Sequence, residues 1–123
     1  MISDNGLDLV ANWISTGVGS PPAYVGVGVG TTAPAESQAA LAHEVYPTTS
    51  RNVPDVTRSE DVIHFRMTMG TDEGSTANYA EQGLFSNSTT GVMFCRLTHP
   101  DTGKSVSVVM ESMLSVEVGS YLP

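Results

Sequence analysis

The sequence predicts a mainly β fold, an antiparallel β-sandwich of jelly-roll-like type with one α-helix at its N-terminus. Three observations predict it. Residues 3–16 carry apolar side chains at helical spacing. Residues 25–30, after Tyr24, alternate valine with glycine, the period-2 pattern of a strand. From residue 50 onward, runs of alternating apolar and polar residues are separated by turn clusters roughly every ten residues, the spacing of a sandwich or barrel.

Each element follows from its residues. Ser3 or Asp4 caps the helix, and Asp8 lies near the positive end of its dipole. Leu7, Val10, Ala11 and Ile14 share one side, and Trp13 widens the stripe. Gly17 and Gly19 end it. Pro21-Pro22 forces an extended entry into the glycine–valine strand. Residues 35–44 have the composition of a short helix, limited by Pro34 to one or two turns. Residues 61–69 alternate cleanly, with Ile63, Phe65, Met67 and Met69 on one face. Strands are expected at residues 77–85 and 92–98, with a β-turn at Pro100-Asp101-Thr102-Gly103. Residues 105–118 then read as one long strand with unbroken period 2. One domain spans residues 1–123, with the sheet over about 22–118.

Charge narrows the function. The net charge is −8, from thirteen acids against five bases, and Lys104 is the single lysine. Nucleic-acid binding needs a basic stripe to displace phosphate counterions, so no nucleic-acid partner is expected. The same balance disfavours an anionic membrane surface, and no run approaches the roughly twenty apolar residues of a membrane span. No signal peptide is expected, because no basic segment precedes an apolar one. The lone Cys95 permits no internal disulfide and falls in an apolar strand, as a buried thiol would.

Candidate chemical motifs fail on spacing. Gly26-x-Gly28-x-Gly30 has Thr31 where a dinucleotide loop needs its third glycine. Gly103-Lys104-Ser105 has Thr98 where a phosphate loop needs its first glycine. His43, His64 and His99 show no metal-ligand spacing, and Asp72-Glu73 and Asp101 do not form a calcium loop. Asn87-Ser88-Thr89 is a glycosylation sequon on an expected turn. No nucleophile, base and orienting group can be assembled, so neither catalytic residue, metal nor cofactor is expected.

What the pattern does demand is close packing. Glycine on one whole face of a strand lets another backbone approach that face. Gly83 before Leu84-Phe85 suggests a bulge or tight bend that turns Phe85 inward.

These segments carry a resemblance. Residues 24–35, YVGVGVGTTAPA, then Ala40 to Val45, then Glu81-Gln82-Gly83-Leu84-Phe85 ahead of a turn and the apolar run Val92 to Arg96, resemble small structural proteins of tailed phages. Those proteins carry a (V/I)-G-x-G-T-x-A-P-A loop, a T-A-L-x-x-E segment and a later E-x-G-L-F. The similarity runs over most of the chain and rests on short, small-residue motifs. It implies a virion component of tail-fibre, tail-collar or decoration type, with no catalytic residues to carry over. Collar-fibre proteins continue into long C-terminal regions, whereas this sequence stops at Pro123, which suggests an adaptor or decoration subunit. The expected partners are further copies of the chain, first of all a homotrimer, and other virion proteins. Expected subunit contacts are Trp13, Tyr24, Gly26, Gly28, Gly30, Tyr121 and Leu122. The competing expectation is a small receptor- or carbohydrate-binding module, which would need exposed, clustered tyrosines.

Overall fold

A computed structural model describes residues 2–19, 21–45, 50–71, 73, 77–105 and 107–117. It contains helix α1 (Asp4–Thr16) and strands β1 (Tyr24–Gly28), β2 (Glu44–Val45), β3 (Asp55–Ser59), β4 (Val62–Met69), β5 (Ala77–Phe85), β6 (Met93–Lys104) and β7 (Met110–Glu117). The strands form two antiparallel sheets. Sheet A has the order β2-β1-β5-β6 and sheet B the order β3-β4-β7.

Period 2 decides which residues meet. Val25, Val27, Leu84 and Cys95 from sheet A join Phe65, Met67, Met69, Leu114 and Val116 from sheet B in one buried cluster. Each fully buried side chain of this size contributes about 1.5–3 kcal/mol. The other face of sheet A is covered too. Phe85 and Met93 pack there under Leu41, with Tyr24 at the margin. Sheet A is thus a central layer, with sheet B on one side and the connection from β1 to β3 on the other.

Helix α1 forms as its sequence demands. The Ser3 hydroxyl accepts from the Gly6 amide at 3.0 Å, and Gly17 closes the helix in the left-handed region at φ 70°. Its start is docked. Ile2 bridges to Cys95 at the edge of β6, and the Ser3 amide donates to the Phe94 carbonyl at 2.9 Å. Gly6 lies against the Phe94 backbone, where a Cβ would sit 2.7 Å from the Phe94 Cα.

Three expectations change. Residues 35–44 form no helix. A turn closes at Ala35–Gln38, and the segment runs on, ending as β2. Its backbone amides at Ala42 and His43 are taken by the Glu81 side chain, which a helical ladder would have excluded. The turn expected at 100–103 lies inside β6. The ladder pairs Tyr79 with Thr102 and Glu81 with Thr98, so residues 99–101 bulge out against Ala80 alone. Pro100 is accommodated there because β6 is the edge of sheet A. The long final strand is likewise divided, with a turn between Ser105 and Val108 before β7 begins.

Candidate functional site

The glycine–valine strand and the EQGLF segment are ladder partners. Tyr24 opposes Phe85, Val25 Leu84, Gly26 Gly83, Val27 Gln82 and Gly28 Glu81. Gly26, Gly28 and Gly83 therefore share one face. The bulge expected near Gly83 is present, as the ladder pairs Leu84 with Cys95 but Phe85 with Met93.

That face is filled from within the chain. A Cβ at Gly26 would stand 2.6 Å from a Glu44 carboxylate oxygen and 2.8 Å from the Phe85 ring. At Gly28 it would meet the His43 carbonyl, and Glu81 at 2.6 Å. At Gly30 it would collide with Glu81 and Ala42. At Gly83 it would press on Leu41 and the Cys95 carbonyl. Gly26 and Gly28 are buried, so they do not form a subunit contact as expected. The close approach foreseen there is made by residues 41–44.

Two arginine–carboxylate clusters hold this arrangement. The Glu81 side chain is fully buried and accepts from the amides of Gly30 at 2.7 Å, Ala42 at 2.8 Å and His43 at 2.8 Å. It also accepts from Arg96 Nε at 2.9 Å. Burial alone would raise this carboxyl group. The His43 bond, the Arg96 bond and those of Ala42 and Gly30 outweigh it and hold the group below the ordinary glutamate range. Arg96 reaches on to the Thr32 carbonyl at 2.7 Å and to Gln38 Oε1 at 3.2 Å. In the second cluster, Arg51 binds Glu44 through two nitrogens at 2.7 and 2.9 Å. It also donates to the carbonyls of Asn87 and Thr90 and lies 3.5 Å over the Phe85 ring. These groups bind the chain to itself, and their bonding is that of clamps.

Among the described residues, a cleft of about 490 Å³ lies beside Asn78, Lys104 and Ser105, and a polar one of about 410 Å³ is lined by Gln82, His99, Asp101, Thr102, Glu111 and Ser112 among others. The Pro100 carbonyl can only accept, so His99 Nδ1 donates to it at 2.9 Å. In the neutral ring Nε2 is then an acceptor, facing Gln82 Nε2 at 3.4 Å. Ser112 donates to Gln82 Oε1 at 3.0 Å. Gln82 thus stands between hydroxyl and imidazole, and no nucleophile–base contact forms. His64 Nδ1 does touch Ser115 Oγ at 2.7 Å, but on the solvent face of sheet B, where nothing excludes water. Among the described residues no group of three His, Cys, Asp or Glu side chains is placed to hold a metal ion. Burial pushes the Cys95 thiol up to about 11, so it stays protonated near neutral pH.

Of the expected contacts, Tyr24 is half-buried beside Phe85, and Tyr121 and Leu122 lie outside the described residues. Tyr79 is fully buried, so it offers no stacking face to a sugar. Trp13 remains. It is 48% exposed on α1, together with Leu7 at 44%, Ile14 at 73% and Val18 just beyond the helix at 66%. Within α1 only Gly6 is buried, and Val10 packs against the margin of the core. Apart from Val10, the apolar stripe of the helix is left largely uncovered by the body. No protein-family model matches the sequence, and no curated protein is significantly similar to it.

Proposed function

We propose that this chain is a non-enzymatic structural component of a tailed-virus particle, an adaptor, fibre-attachment or decoration subunit that assembles with its own copies and with other virion proteins. A trimer is the first expectation. The observation that carries the reading is the open stripe of α1, Leu7, Trp13 and Ile14, on a body whose buried arginines are paired within the chain. An amphipathic helix exposed along its apolar side is suited to contact with another subunit. The virion setting rests on the motif segments. In the fold those segments make one unit, with residues 24–28 and 81–85 paired and residues 41–44 packed across them.

The test is quantitative mass spectrometry of virus particles purified by density gradient. The chain is expected at a fixed stoichiometry to the major capsid or tail proteins, retained through repeated banding. Its absence from banded particles would contradict the assignment.

A further inference from the structure

We propose that the cleft around Lys104, at the end of β6, binds a small tetrahedral oxyanion of the phosphate or sulfate type.

Lys104 is the sole lysine of the chain and is 3% exposed. Among the described residues no carboxylate forms an ion pair with it, whereas the buried Arg51 and Arg96 each have one. Its Nζ donates to the Ser105 carbonyl at 3.0 Å. That carbonyl also accepts from the Val108 amide at 3.2 Å, so it is already shared. An ammonium group carries three donors, which leaves two. Burying a cation without a counter-charge is costly. Folding has already stripped Lys104 of most of its water, so an arriving anion gains the attraction without that desolvation.

The neighbouring cleft, about 490 Å³, has the matching chemistry. Ala77, Asn78, Gly103, Ser105 and Val108 line it together with Lys104. At this end of sheet A, Ala77 opposes Lys104 and Asn78 opposes Gly103, so donors from two strands meet there. The Asn78 amide donates without charge. Ser105 Oγ lies 3.3 Å from Ser107 Oγ, so it can accept from Ser107 and donate into the cleft. Among the described residues no acid lines the cleft, in a chain with thirteen of them. The cleft at Gln82 and His99 is lined by Asp101 and Glu111 and would repel the same ion. The Lys104 site is no phosphate loop, because Gly103-Lys104-Ser105 leads into a turn and β7 rather than a helix.

The experiment melts full-length protein at pH 7 in sodium phosphate or sodium sulfate, with ionic strength held constant by sodium chloride. At about 10 mM anion, tenfold above a Kd of about 1 mM, the folded-to-unfolded ratio rises about tenfold and the melting temperature by about 5 °C. The larger of the two responses names the ion. Lys104→Met keeps the side chain's bulk without its charge and loses the response. Arg58→Met, which removes an exposed cation on β3, retains it. General salt effects grow without saturating and act on every variant alike. The single lysine also gives one ε-methylene signal in protein labelled with ¹³C-lysine. That signal moves saturably with phosphate or sulfate and stays fixed in chloride. It decides the matter if Lys104→Met does not fold. A wild type that responds to neither anion beyond chloride, an equal response in Lys104→Met, or a stationary lysine signal overturns the site.

Discussion

Glu81 is the residue on which the connection between β1 and β3 depends. Its carboxylate gathers three backbone amides and one guanidinium from three separate places in the chain. Glu81→Gln leaves Arg96 buried without its counter-charge. Breaking a buried pair from one side costs about 3–5 kcal/mol, so urea denaturation is expected to show a loss of that order. The pH dependence has a definite sign. The folded group titrates below its unfolded value of about 4.3, so its contribution is complete above that pH and lost as pH falls toward the folded value. Stability measured from pH 7 downward should hold until about 4.5 and then decline. In Glu81→Gln this component of the decline is missing. Gly28→Ala is a sharper steric test, because the added methyl meets a backbone carbonyl and the Glu81 carboxylate together. Overpacking of that kind costs about 1–3 kcal/mol, read as a lower urea midpoint with unchanged m. The sequence made the close packing at Gly26, Gly28 and Gly30 legible, because glycine alternation has few other uses. It did not reveal what packs there. The occupant comes from residues 41–44, and its anchor, Glu81, lies about forty residues further on. No local pattern encodes that distance.

At the scale of elements, legibility followed periodicity. The helix start, at Ser3 or Asp4, was written in capping, the strand over 62–69 in alternation, and the strand over 77–85 in the turn clusters that bound it. The segment 35–44 has helical composition, yet its amides serve Glu81, so a tertiary bond displaced a local propensity. Pro100 and Gly103 carry turn chemistry, but the edge position of β6 lets them bulge within a strand. The docking of α1 depends on Ser3, whose hydroxyl accepts from Gly6 and also donates to the Met93 carbonyl. Ser3→Ala should cost about 1–2 kcal/mol and raise amide exchange through the first turn of α1. Ile14→Glu, three turns along, should leave the unfolding free energy of the isolated chain unchanged within about 0.5 kcal/mol, because that side chain is exposed. The contrast separates the end of α1 that belongs to the fold from the part that faces outward.

As a whole molecule the chain has a closed interior and an unfinished exterior. The buried arginines Arg51 and Arg96 are paired with Glu44 and Glu81, and the net charge of −8 makes separate copies repel one another. The apolar stripe on α1 lies open on that exterior. The stripe was legible from helical spacing. Its exposure was not, because amphipathicity announces a partner surface without saying whether that surface belongs to the same chain. Trp13 provides the most direct test of the claim that α1 is an assembly surface. It is the sole tryptophan and sits on the stripe itself. Its emission and its quenching by acrylamide, a neutral probe indifferent to charge, can be followed as protein concentration rises and as purified particles are added. The account predicts a blue shift and strong protection from quenching in the assembled protein, both absent in Ile14→Glu. Assembly with Trp13 emission and quenching unchanged from the monomer would contradict it.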